Sequence, residues 1–203
     1  EPTTAPCPPG LDADGIAALQ RRTIVVLSAG QVLGGISFGA TVSLGAILAA
    51  KLSGDDTLSG LATASITLGT ALTAVPLAAL ARRRGRRPAL ATGMLVALVG
   101  VGVVITAITI SAFPLLLTGF VLIGAGQASN LQSRFAAADL ATDASRARDL
   151  SLVIWATTIG AVLGPNLVGP GEALGATLGM PQYTGPYLFT IAAQLLGLTL
   201  LWT

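Results

Sequence analysis

Gln127, Asn130 and Arg134 interrupt an otherwise apolar run at intervals of three and four, the spacing that places side chains on one face of a helix. Amide side chains both donate and accept hydrogen bonds but carry no charge and no nucleophile. The chemistry such a stripe offers is recognition of a polar group within apolar surroundings. Gln31, Asn166 and Gln194 stand in similar apolar runs. An amide buried away from water needs a partner, so two readings stand for each of them: a hydrogen bond to a neighbouring helix, or contact with a ligand. Arg134, at the end of its run, also fits a residue whose charged head snorkels back to the interface. Catalytic chemistry finds no comparable support. Histidine is absent, and the one cysteine, Cys7, has no internal partner and reads as an incidental thiol in a loose tail. No triad, metal-ligand cluster or phosphate loop is recognisable, so neither enzyme activity nor a metal or cofactor is expected.

The elements that must position these residues follow from composition. The chain is 53% hydrophobic and 10% charged, against roughly a quarter charged in a soluble domain. Runs of about 20 residues without Asp, Glu, Lys or Arg match the length of helix needed to cross roughly 30 Å of hydrocarbon. No water is available there to satisfy the backbone, so the runs must be helices. The 25 glycines suit a helical membrane protein, because small residues let helices approach closely. Six spans are expected, near Ile24–Ala50, Leu58–Ala81, Ala89–Ser111, Pro114–Ala137, Leu150–Val168 and from Pro186 to the end. Residues 1–20, with four prolines among the first ten, read as a flexible or capping tail, and residues 21–203 as one six-helix bundle. A Gly/Pro-rich loop is expected over Gly169–Gly185. The chain has no initiator methionine and is still apolar at Leu200-Leu201-Trp202, so a piece of a longer protein is expected. Trp155 and Trp202 are assigned no role.

Charge sets an orientation. The N-terminus, the 2–3 loop and the 4–5 connection hold Arg21, Arg22, Arg82, Arg83, Arg84, Arg86, Arg87, Arg134, Arg146 and Arg148, whereas the opposite side holds only Lys51. By the positive-inside rule the N-terminus is cytoplasmic, and an even helix count returns the chain there. The basic balance therefore reflects topology. A nucleic-acid surface would want aromatic residues among the arginines, and there are none.

Three motifs carry a resemblance. Ala78-Ala79-Leu80-Ala81-Arg82-Arg83-Arg84-Gly85-Arg86-Arg87 resembles the loop between the second and third helices of the major facilitator superfamily, Gly-x-Leu-Ala-Asp-Arg-x-Gly-Arg-Arg. Leu80, Ala81, Arg83, Gly85, Arg86 and Arg87 match; Ala78 replaces the first glycine and Arg82 the acid. Gly119-Phe120-Val121-Leu122-Ile123-Gly124-Ala125-Gly126 is similar to the family's fourth-helix pattern, with Phe120 where many proton-coupled members carry arginine. Gly160-x-x-x-Gly164-Pro165 resembles the fifth-helix signature of the antiporter branch, its last glycine one position late. Glycines four apart make a flat face, and Pro165 removes a helical hydrogen bond, so a bend is expected there. Arg134–Leu152 also reads like a family 4–5 loop. No Asp, Glu or His lies within the spans as drawn, so no proton relay is visible in them.

The resemblance implies an all-α polytopic membrane protein: the amino-terminal six-helix half of a secondary transporter. A second six-helix bundle, in the same chain or a partner subunit, would complete it. Solute would bind between the halves and cross by alternating access, in a bacterial inner or plasma membrane. The first and fourth helices would line the path, with Gln31, Gln127, Asn130 and Asn166 as candidate contacts. The apolar lining favours a small amphipathic or weakly polar solute, and the fifth-helix pattern favours efflux. A competing reading, supported by Arg82 in place of the acid and by the lack of a titratable group, is a non-transporting structural or assembly subunit with the same half fold.

Overall fold

The protein is described here by a computed structural model that covers residues 13–139 and 146–202. Its elements are α1 (Ala13–Ser53), a 3-10 turn (Asp56–Ser59), α2 (Gly60–Arg84), α3 (Arg86–Thr109), α4 (Phe113–Asp139), α5 (Arg146–Asn166), α6 (Val168–Thr177) and α7 (Pro186–Trp202), with no strand among the described residues. Four segments are long and apolar enough to cross a membrane alone: Ile24–Ser53, Asp56–Arg84, Arg86–Thr109 and Phe113–Arg134. Leu150–Asn166 and Val168–Thr177 pass together as one span bent by 47°, and Pro186–Leu201 is a shorter apolar helix. These six apolar segments form the all-α polytopic bundle expected.

Two boundaries differ from expectation. α1 begins at Ala13, inside the segment assigned to the tail; the tail's prolines and Cys7 lie outside the described residues, and Ala13–Gln20 contains no proline to stop a helix. The loop expected over Gly169–Gly185 is half helix, because α6 occupies Val168–Thr177. Gly171, Gly175 and Gly185 are used for contact, while Gly179, at φ +68°, turns the chain after α6. A Cβ on Gly175 would come within 2.8 Å of the Gly185 backbone, and one on Gly171 within 2.6 Å of Pro186. The expected bend is present and falls at Leu167, two residues beyond Pro165.

Packing follows a two-fold pattern. Taken as two groups of three spans, the first helix of each group packs on the second and third of the other: α1 along α5 and α7, α4 along α2 and α3. Between helices in lipid there is no hydrophobic drive, so close approach and hydrogen bonds must hold such pairs. On one side Gly35 and Gly39 of α1 meet Gly160 and Gly164 of α5; on the other Gly69 of α2 meets Gly124 and Val121 of α4. The apolar core, with Leu44, Leu48, Val101, Val104, Leu116, Phe120 and Tyr187, fills the end of the bundle remote from the arginine loop. Phe120, at the position where the resemblance would put arginine in proton-coupled members, is fully buried in that core.

Candidate functional site

The polar residues gather in the half of the bundle nearer the arginine loop. Gln31 reaches from α1 to two other helices and is 2% exposed. Its Nε2 donates to the Asn130 carbonyl at 3.2 Å, and also to Asn130 Oδ1 and Ser133 Oγ on α4. Its Oε1 accepts from the Thr157 hydroxyl of α5 at 2.6 Å. Ser133 Oγ in turn donates to the Asn130 carbonyl at 2.7 Å. One amide side chain thus joins α1, α4 and α5, with both of its ends satisfied, as burial demands.

A crevice opens beside this junction. Gln31, Asn130, Ser133 and Ser129 supply its polar wall, while Leu27, Leu90 and Leu201 narrow it toward the arginine end. Gln127, one turn deeper on α4 and half-buried, lines its inner part together with Gln194 of α7. Of the four path candidates, Gln31 and Asn130 are in direct contact and Gln127 shares their crevice. Asn166 is not brought to them. It is exposed at the far end of α5, where its Nδ2 donates to its own helix at the Val162 carbonyl, 2.7 Å away.

The fifth-helix motif packs rather than faces open space. A Cβ on Gly164 would lie 2.7 Å from both Ala40 N and Ile36 O, and Gly160 abuts the Val32 carbonyl. Pro165 sits at the end of this seam, within 3.0 Å of where a Cβ on Gly39 would stand. In the loop motif, Gly85 takes φ +94°, a conformation that favours glycine, and its N–H donates to Ala81 O at 3.0 Å as α2 turns into α3. Arg82, Arg83, Arg84 and Arg87 are exposed around that turn, and Arg86 is half-buried. Arg134 is half-buried with an Nε that has no partner.

Several residues escaped the sequence reading. Ser133 continues the Gln127–Asn130 stripe at the next interval of three, and Thr157 precedes Gly160 by three, on the face turned to α1; both signals were present in the spacing. Gln132 donates to the Ala74 carbonyl of α2 at 3.3 Å. The drawing of the fifth span also hid an acid. Glu172 lies in α6, where Oε2 accepts from Tyr183 N at 3.0 Å and Oε1 is buried without a partner. The spans therefore contain a carboxyl group once the bent α5–α6 pair is counted as one, because the chain continues as helix past the Pro165 bend.

Such an arrangement, a glycine-sealed apolar bundle with a polar junction inside it, defines a polytopic helical membrane protein. The comparisons give the family. Residues 27–203 match the Major Facilitator Superfamily model, and the chain belongs to that family. It is 39% identical over 176 residues to the uncharacterised MFS-type transporter YddS of Bacillus subtilis, covering 86% of this chain and 40% of that protein. It is also 39% identical over 153 residues to the riboflavin transporter RfnT of Brucella anthropi, covering 75% of this chain and 38% of that protein. The chain thus spans about two fifths of these relatives' length. In fold it resembles the crystal structure of the human organic anion transporter MFSD10, with a TM-score of 0.70 at 20% identity, over 90% of this chain and 47% of that one.

Proposed function

We propose that this chain forms the amino-terminal half of a secondary transporter for a small amphipathic or weakly polar solute. Membership of a family whose relatives are named transporters supports this, and so does the length it shares with them. A second six-helix bundle is then needed. The outward apolar faces of α2 (Leu68, Leu72, Val75) and α5 (Trp155, Ile159, Val162), all more than half exposed, are available to it or to lipid. The single observation that carries the site assignment is the Gln31–Asn130 contact, which puts polar groups of the first and fourth spans together in an apolar bundle. The arginine-rich end is the cytoplasmic one in this reading, the membrane is a bacterial inner membrane, and alternating access rocks the two bundles against each other with efflux as the favoured direction.

The name of one relative supplies the first probe, riboflavin, an amphipathic ring system with polar edges. The complete protein is reconstituted into proteoliposomes, and riboflavin flux is measured for wild type, Gln127→Ala and Asn130→Ala. Flux reduced about tenfold or more in Asn130→Ala, with unfolding temperature near wild type, supports the assignment. Flux and binding unchanged in both variants, for riboflavin and for any other solute that wild type moves, would falsify it. Arg82 in place of the family's acid favours the second reading, a non-transporting subunit, which a stable complex and no flux of any solute would support.

A further inference from the structure

Two adjoining crevices run between α1, α3, α4 and α7. The one nearer the arginine loop has a volume of about 60 Å³ and the deeper one about 40 Å³, and Gly34, Met94 and Gly126 line both. A single water needs roughly 10–15 Å³, so the space exceeds one or two solvent molecules. Its deep end carries an unmet demand. Gln127 and Gln194 both line the deeper cavity, and each has a buried side-chain carbonyl oxygen that accepts no hydrogen bond. Gln194 is only 7% exposed. The hydroxyl of Thr190, one turn away on α7, is also buried and unpartnered.

These acceptors come from two helices, α4 and α7. Phe38, Ile123 and Met94 make the wall largely apolar, and the one other polar side chain in it, Ser37, donates its hydroxyl to the Leu33 and Thr190 carbonyls. A buried acceptor without a donor is destabilising. The unmet atoms are carbonyl oxygens, which call for a donor, and neither a cationic nor a carboxylate side chain lines the cavity to neutralise a charged ligand. What remains complementary is a neutral molecule with an apolar body and a donor at one end.

We propose that this intra-bundle crevice binds a small neutral ligand with an apolar ring or chain and one N–H or O–H donor, which the side-chain carbonyls of Gln127 and Gln194 accept. Gln127 is also a solute-path candidate, so the proposal rests in part on that reading and names the ligand chemistry of its intra-bundle end; binding is read here without any flux measurement, so the two can fail separately. Gly30 guards the outer cavity. It lines the space, and a Cβ on it would meet nothing within 4 Å, so a larger side chain there fills the crevice without pressing on the backbone of a neighbour.

The test uses the complete protein in lipid nanodiscs and two probes of matched shape, 4-fluorophenol and 4-fluorotoluene, which differ in having a hydroxyl or a methyl group. Fluorine NMR reads saturable binding above lipid partitioning. Expected are saturable binding of 4-fluorophenol, none of 4-fluorotoluene, loss in Gly30→Leu, and about fivefold weaker binding in Gln127→Met and Gln194→Met. Thermal unfolding of each variant checks the fold, and the Met variants keep the test decisive should Gly30→Leu fail to fold. The proposal is overturned if wild type shows no saturable 4-fluorophenol binding, which would leave water as the donor. It is equally overturned if the two probes bind alike, or if the Met variants bind as wild type does.

Discussion

α1 meets two of its neighbours, α5 and α4, in opposite ways. Toward α5 the contact is made by missing side chains: Gly35, Gly39, Gly160 and Gly164 bring backbone onto backbone, and a Cβ on Gly35 would stand 2.8 Å from the Thr157 carbonyl and 2.9 Å from the Gly160 Cα. Toward α4 the helices stand apart, and the long side chain of Gln31 bridges the gap to Asn130 and Ser133 beside an open crevice. A contact between two backbones has one geometry and no alternative. A contact made by one amide can exchange partners, because an amide that leaves one donor or acceptor can find another. The α1–α5 seam is therefore a fixed joint and the α1–α4 junction an adjustable one.

The largest expected effect lies in the seam. Gly164→Leu forces a side chain against Ala40 N, Ile36 O and the Gly39 Cα, all between 2.7 and 2.9 Å from the would-be Cβ. No flexible group can yield there, so α1 and α5 must separate. A loss of about 3 kcal/mol or more is expected, read as a lowered unfolding temperature in nanodiscs. The same change tolerated at little cost would break the distinction between the two contacts.

Gln31→Leu comes next. It removes the acceptor of the Thr157 hydroxyl and the donors to Asn130 and Ser133. A cost of about 1–2 kcal/mol is expected, less than for Gly164→Leu, because partners left behind beside a crevice can be reached by water. Removing Asn130 as well, in Gln31→Leu with Asn130→Leu, should cost clearly less than the two single changes added together. Strict additivity would show that the amides do not act as a unit.

The fixed joint was half legible in the sequence, and the adjustable one less so. Gly160-x-x-x-Gly164 announces a flat face by spacing alone, but its counterpart, Gly35-x-x-x-Gly39, sits among Gly30, Gly34 and Gly45, and nothing in the sequence says which of these glycines meets another helix. Spacing also put Gln127 and Asn130 on one face. It could not say that Gln31 would find Asn130, since that depends on which helices become neighbours, a property of the whole bundle. Asn166 looked equivalent to the others in type and setting, yet its carbonyl partner is one turn back in its own helix. The six-span bundle was legible because hydrocarbon allows little but helix. Glu172 was missed because Gly and Pro signal turns in water, whereas here the glycines around it let α6 lie against the start of α7.

A smaller effect separates the faces of α1 from the other direction. Gly30 faces open space, so Gly30→Ala adds a methyl group without a clash and removes the excess backbone freedom of glycine in a helix. A gain of about 0.5 kcal/mol is expected, whereas Gly35→Ala, one to two turns along the same helix, should be destabilising. Equal effects at the two positions would mean that the seam is looser than its backbone contacts indicate.

The smallest expected effect concerns the turn that joins α1 to α2, and with it the α1–α5 pair to the α2–α4 pair. Asp55 accepts from the Thr57 hydroxyl at 2.7 Å and from the Thr57 backbone N–H at 2.9 Å. Those two bonds, the side-chain one foremost, hold its carboxyl below its ordinary value of 3.8. A depressed carboxylate contributes its stabilisation fully above the ordinary value and loses it as pH falls through the lowered native one. Amide exchange at Thr57 and Leu58, corrected for intrinsic rates, should therefore quicken as pH drops below about 4, while exchange along the α1–α5 seam stays unchanged. In Asp55→Asn the acid-dependent step should vanish. Were it to persist there, or to spread into the glycine seam, the turn would be coupled to the pairs it connects, and the fixed joint would not be independent of its surroundings.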